Sequence, residues 1–268
     1  MDRPTAPSLR LRIFAGPNGS GKSTIIKSIQ NYRNGEDKIN FGYYINADDI
    51  AQLLATTSFD FRQYGLHIKP KRFGEIALAS GLIGDGFTAD IFINSFDIKG
   101  GILRLKDNSA VDRLAQITAE VLRHELIHHK IRFSFETVFS HRSKLAVMRK
   151  ALEVGYKIYL YFVATEDPAI NEFRVKARVA QGGHPVPVSK IALRYTRSLD
   201  LLYEASLLAY RAYFFDNSED GINFKMFADF KVVNKKRVWS KADEKNYPEW
   251  FKKYYLSKMN TESEKSPE

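Results

Sequence analysis

The 268-residue chain contains no cysteine, which closes off both a disulfide framework and any zinc site built from thiolates. No stretch approaches the ~20 consecutive apolar residues that cross a bilayer, and Met1–Arg10 lacks the apolar core of a secretory signal. These absences lead to the expectation of a cytoplasmic protein with no membrane partner. Acidic residues are in deficit, with 31 Asp and Glu against 41 Lys and Arg, a formal net charge of +10. That balance suits an anionic partner, whether nucleotide, nucleic acid or phosphorylated metabolite, without choosing among them. With 44% apolar residues the chain has material for a core, and its length allows one large domain or one domain with a smaller lobe.

Strand and helix signals alternate along the chain. Leu9–Ala15 reads as a strand, Gly16–Ser23 interrupts it with three glycines, and a helical stretch runs from Lys22 to about Tyr32. Further strands are expected at Phe41–Asn46, Ile131–Phe135 and Lys157–Ala164. Helices are expected from Ser109, where Asp112 completes a capping-box pattern, and over Ser143–Glu153. This order implies an α/β fold, a parallel sheet flanked by helices. Residues 57–108 do not follow the alternation. They hold seven glycines, with Ala89–Leu105 reading as a hairpin that turns at Gly100-Gly101, and are expected to form an inserted lobe. Met226–Trp239 reads as a C-terminal β-hairpin and Tyr247–Tyr255 as a short aromatic helix. The resulting expectation is a single domain over residues 1–256 and a polar, disordered tail over 257–268.

Two chemical motifs stand out. Gly16-Pro17-Asn18-Gly19-Ser20-Gly21-Lys22-Ser23, followed by Thr24, satisfies G-x-x-x-x-G-K-[ST], the phosphate loop. Glycines let the backbone wrap a phosphate with N–H groups turned inward at a helix N-terminus. Lys22 would reach the β- and γ-phosphates of a nucleoside triphosphate, and the Ser23 hydroxyl would hold Mg²⁺. His124-Glu125-Leu126-Ile127-His128 satisfies H-E-x-x-H, the helical zinc pattern. Both are short enough to arise by chance, so setting decides between them. The glycine loop follows a strand and opens a helix, its confirming context. On the other motif, a 100° step per residue puts Glu125 and His129 on the apolar stripe and leaves His124 and His128 beside it. The fold expected is therefore of the P-loop NTPase type, kinase-like.

Phosphoryl transfer to a hydroxyl needs a carboxylate near the acceptor and cations around the moving phosphoryl. Asp48 and Asp49 follow the expected second strand and Glu136 ends the third, on the sheet edge where open α/β folds bind ligands. Arg174 and Arg178 share a helical face, and Arg194 and Arg197 follow a Gly182-Gly183-His184-Pro185 break, a pattern expected of a phosphate-closing lid or of an ordinary basic helix.

These segments resemble the zeta toxin family of phosphate-loop kinases, most of all its compact zeta-like branch. The resemblance rests on AGPNGSGKST (Ala15–Thr24), INADDIA (Ile45–Ala51), FSFETVFSH (Phe133–His141), GYKIYLYFVA (Gly155–Ala164) and RVAQGGHPVPVSKIALRYTRSL (Arg178–Leu199). It implies an ATP- or GTP-dependent kinase whose acceptor is a hydroxyl of a small molecule such as UDP-N-acetylglucosamine, with any antitoxin on a separate chain. Carried over by motif, Asp48 would be the catalytic base, Glu120 and Glu136 would contact substrate, and Arg178 would neutralise the transferring phosphoryl with Arg174 or Arg194 as second cation. Thr137-Val138-Phe139 stands after the strand acid where the toxins have a Gly-Thr pair, and residues 57–108 have no counterpart in the family pattern. Two other classes stay open. A regulatory ATPase would need more of a dimer-contact signature than AQGGH, and a nucleic-acid kinase would use Lys69, Lys71 and Arg72 of the inserted lobe.

Overall fold

A computed structural model describes residues 9–34, 37–84, 86–183, 186–219, 221, 224–240 and 244–264. They form two compact units, one of residues up to 41 together with those from 134 onward, the other of residues 42–133.

In the first unit six strands lie side by side in the order Lys236–Trp239, Lys225–Val233, Arg211–Asp216, Lys157–Ala164, Arg10–Ala15 and Phe133–Thr137. Arg10–Ala15 and Arg211–Asp216 both run parallel to Lys157–Ala164, while Lys225–Val233 runs antiparallel to Arg211–Asp216 and Lys236–Trp239 antiparallel to Lys225–Val233. The sheet is thus mixed, with helices Ser143–Glu153 and Leu202–Leu207 packed on Lys157–Ala164. Register explains the core. Leu11 and Ile13 align with Ile158 and Leu160, which align with Ala212 through Leu160, so one face is a continuous apolar layer with no solvent exposure. On the alternate positions Phe14, Tyr161 and Tyr213 stack in turn, with ring centroids 4.8 and 4.7 Å apart, and the Arg211 guanidinium lies 4.7 Å from the Tyr213 ring centre.

The expected strand Lys157–Ala164 and helix Ser143–Glu153 are found with the same bounds, and the third strand is shifted to Phe133–Thr137. The C-terminal hairpin is present. The tail needs correction, because Ser257–Glu264 is helical and only residues 265–268 lie outside the described residues. The helical run is anchored upstream. The Glu166 carboxylate accepts the N–H groups of Glu249 and Trp250 at 2.9 and 3.2 Å, and Phe251 and Tyr255 pack on Phe214. Lys258 Nζ then donates to Asp200 O at 2.6 Å.

The second unit holds the strand Tyr43–Ile45, a three-stranded sheet ordered Phe59–Asp60, Ile102–Leu105, Phe96–Lys99, and helices Ala47–Thr56, Pro70–Ala79, Ala89–Asn94 and Val111–His128. It therefore contains the inserted lobe together with the helices on either side, Ala47–Thr56 and Val111–His128, which pack on each other. Leu114, Ala115, Thr118, Val121, Leu122 and Leu126 are all buried, the stripe that helical spacing predicts. The lobe has an aromatic core of its own, in which Phe73 meets Phe61, Phe92 and Phe96 at 5.1–6.0 Å. Ala89–Asn94 is a helix and not the first arm of a hairpin, because the Thr88 hydroxyl accepts the Ile91 N–H and caps it. The turn at Gly100-Gly101 is as expected, at φ 58° and 78°. The long helix is preceded by a 3₁₀ turn, Asn108–Ala110, which Asp107 caps through the Ser109 N–H at 2.9 Å; Ser109 is not the cap.

Candidate nucleotide-binding site

The glycine loop leaves Ala15 at the end of its strand and re-enters regular structure at Lys22, the first residue of the helix Lys22–Asn31. Gly16, Gly19 and Gly21 have φ of 147°, 76° and 95°, a region that side-chain-bearing residues avoid. Space is equally restrictive. A Cβ on Gly16 would stand 2.0 Å from the Val163 carbonyl oxygen, and one on Gly19 would stand 2.6 Å from that of Asn171. Gly21 caps the helix without a side chain and no acid occupies its first turn, so the positive end of the helix dipole faces the loop.

Lys22 crosses this loop. Its Nζ donates to the carbonyl oxygens of Gly16 and Pro17 at 3.0 and 2.8 Å, with the side chain only 7% exposed. The strand Phe133–Thr137 neighbours Arg10–Ala15 in the sheet, and this places Glu136 Oε1 4.0 Å from Lys22 Nζ. A concentrated positive charge, a glycine backbone and a helix N-terminus thus converge, the arrangement that holds a phosphate chain. Among the described residues the Ser20 hydroxyl, fully buried beside the loop, has no hydrogen-bond partner, which makes it a further donor for an anion. Ser23 and Thr24 are exposed at the helix start. The Ser23 hydroxyl is a hard oxygen donor of the kind Mg²⁺ takes.

Arg178 is exposed near the end of the helix Pro168–Ala180, and Arg194 is half-buried on Val188–Asp200, which packs against that helix. Of the glycine break between them, His184 and Pro185 lie outside the described residues. Arg174 lies one turn before Arg178 on the same helix. Its guanidinium donates to the carbonyl oxygens of Asn217 at 2.6 Å and Glu219 at 3.4 Å. Two residues that no motif singled out reach the loop itself. Asn171 Nδ2 donates to Asn18 O at 2.6 Å, and Asn217 Nδ2 donates to Ser20 O at 2.9 Å. The clue in the sequence was slight, an asparagine on a helix and another just after Arg211–Asp216, a strand the sequence reading passed over.

Asp48, Asp49 and Glu120 belong to the second unit. Asn46 caps the helix Ala47–Thr56 by accepting the Asp48 N–H at 2.9 Å, leaving the Asp48 carboxylate exposed in the first turn. Burial, and then the charge of Asp48, push the Asp49 carboxyl above the usual carboxylate range. Burial and the Asp49 charge push the Tyr64 phenol up in turn. Glu120 pairs with the buried Arg123 at 2.5 Å. In the H-E-x-x-H segment Glu125 is buried and ion-paired with Arg72, Nε and Nη2 lying 2.9 and 2.8 Å from Oε1, so this carboxylate is turned to a half-exposed arginine.

No family profile matches the chain. A Haemophilus influenzae protein described as uncharacterized is 32% identical over 97 residues, covering 35% of this chain and 69% of that one. Among solved structures, the AvrRxo1-ORF1:-ORF2 complex with ATP aligns with 92% of this chain at 15% identity and a TM-score of 0.47, and the chain spans 63% of that protein's length. The PezAT toxin-antitoxin system of Streptococcus pneumoniae aligns with 98% of this chain and 87% of its own at 12% identity and a TM-score of 0.46. Likenesses this loose concern the path of the chain, and the chemistry of the site rests on its own residues.

Proposed function

The chain belongs to one family with the Haemophilus influenzae protein, and we propose that it is a phosphate-loop kinase which moves the γ-phosphoryl of ATP or GTP to a hydroxyl of a small molecule. The observation that carries this reading is Lys22, nearly buried and drawn across a loop of left-handed glycines at the start of a helix. A triphosphate entering the loop offers Lys22 charged oxygens in place of two neutral carbonyls, and charge-assisted hydrogen bonds are the stronger.

In the transfer, the acceptor oxygen forms a bond to the γ-phosphorus as the bond from that phosphorus to the β,γ-bridging oxygen breaks. The acceptor proton passes to a carboxylate, for which Asp48 is the candidate. Arg178, with Arg174 or Arg194 as second cation, is the candidate for offsetting charge on the moving group, and Glu120 and Glu136 for contacts to the acceptor. The Ser23 hydroxyl would hold Mg²⁺, which would supply positive charge to offset the negative charge of the phosphates. The zeta-like motifs favour an amino-sugar nucleotide such as UDP-N-acetylglucosamine as acceptor, and an antitoxin on a separate chain as partner. Among the described residues no helix is long and apolar enough to cross a membrane.

The test is incubation with γ-labelled ATP or GTP and a panel of nucleotide sugars, nucleosides and oligonucleotides, with Lys22→Ala as the blank. Label appearing on a small-molecule hydroxyl supports the kinase. Release of phosphate with no labelled acceptor in any arm would assign an ATPase instead, and label on oligonucleotides alone would assign a nucleic-acid kinase.

A further inference from the structure

We propose that Asn171, Asn217 and Arg174 form a brace that sets the phosphate loop in its anion-binding shape, and that they are positioning residues for the nucleotide. The inference rests on the phosphate-loop reading above and adds residues to it. It starts from the planarity of the peptide unit. In a trans peptide the carbonyl of one residue and the N–H of the next point in opposite directions. Asn171 Nδ2 holds the Asn18 carbonyl from outside the loop at 2.6 Å, so the Gly19 N–H of the same peptide is turned the other way. Asn217 Nδ2 holds the Ser20 carbonyl at 2.9 Å, which turns the Gly21 N–H likewise. Two side-chain amides therefore fix the direction of two backbone donors. Both donors belong to glycines with positive φ, whose peptides have the most alternative orientations to lose.

Each amide is itself held. The Thr165 hydroxyl donates to Asn171 Oδ1, which leaves Nδ2 for the loop, and Asn171 is fully buried. Tyr195 donates from its hydroxyl to Thr165 O at 2.6 Å, tying the next helix to the same point. Arg174, one turn after Asn171 on the helix Pro168–Ala180, donates to the Asn217 and Glu219 carbonyls and so fixes the backbone that carries Asn217. One helix thus grips the loop twice, directly at Asn18 and through Asn217 at Ser20. The contact is close enough that a Cβ on Gly21 would meet Asn217 Nδ2 at 2.3 Å.

The test uses near-isosteric changes that keep shape and remove the donor. Asn171→Asp and Asn217→Asp put a carboxylate oxygen where Nδ2 donates to a carbonyl. Calorimetric affinity for MgATP is measured on the full chain, with melting temperature alongside. Each Asp variant is expected to lose affinity by about tenfold or more, the size of one hydrogen bond, and Asn217→Ala by about as much. Arg174→Ala is expected to weaken ground-state binding, with Arg174→Lys recovering part of it. A residue acting only on the moving phosphoryl would instead lower kcat and leave that binding unchanged. Parental affinity in folded Asn171→Asp, Asn217→Asp and Asn217→Ala would overturn the brace and leave the kinase reading standing. A parental chain that binds no MgATP or MgGTP would overturn both.

Discussion

Gly16→Ala and Gly74→Ala make the same chemical change at two places where the structure demands opposite outcomes. At Gly16 the new Cβ would stand 2.0 Å from the Val163 carbonyl oxygen, and Cβ atoms do not approach within 3.0 Å of a neighbour, so two packed backbone segments must part by at least about 1 Å. The residue would also sit at φ 147°. A strained backbone costs roughly 1–3 kcal/mol and an overpacked contact about as much again. Together that is roughly 2–6 kcal/mol, which for a chain of this size lowers the melting temperature by about 5–20 °C. Gly74 lies in the helix Pro70–Ala79 with nothing within 4 Å of the new Cβ, so alanine there gains about 1 kcal/mol of helix propensity and raises Tm by a few degrees. Differential scanning calorimetry of both variants decides the matter, with MgATP titrations alongside. A Gly16→Ala protein that melts and binds nucleotide like the parent, or a Gly74→Ala protein that melts lower, would refute the geometry of the loop or of the lobe.

Asp49→Asn is expected to raise stability at pH 7. A carboxyl whose folded pKa is raised keeps its proton longer than in the unfolded chain, so its contribution is complete below the ordinary carboxylate value and is lost as pH rises through the folded value. Denaturant midpoints should therefore show the variant's advantage at pH 7 and little or none at pH 3; the reverse order would contradict the upward shift of the Asp49 carboxyl. Removing the cap with Asn46→Ala should cost about 1 kcal/mol, read as a lower urea midpoint with unchanged slope. Arg72→Ala leaves Glu125 buried without its arginine. Because Arg72 is itself 40% exposed, the loss should be about 1–2 kcal/mol by the same measurement, and no loss would mean that Glu125 is not committed to this pair.

The parts of the site that are contiguous in sequence were readable there. A strand, three glycines and a lysine followed by a helix can be recognised because each residue type answers a local need, and the loop geometry bears out those needs at Gly16, Gly19 and Gly21. Lys157–Ala164 was equally plain, as a long, largely apolar run. Ala89–Asn94 misled because Ile91, Phe92 and Ile93 look strand-like, while the decisive residue was Thr88 as cap. The polar tail misled because it continues a helical run whose start is held by Glu166, 83 residues before Glu249. Asn171 and Asn217 were illegible for a related reason. Their partners, Asn18 and Ser20, lie 153 and 197 residues away, and no local pattern marks an amide that bonds a distant carbonyl.

The central claim is that the loop from Gly16 to Ser23 binds a nucleoside triphosphate through Lys22. Isothermal titration of the purified chain with MgATP and MgGTP, beside Lys22→Ala, tests it most directly. The account predicts saturable binding of at least one triphosphate by the parent, at one site per chain, and a loss of at least tenfold in the variant. Absence of binding to either nucleotide, or equal affinity in Lys22→Ala, would contradict it.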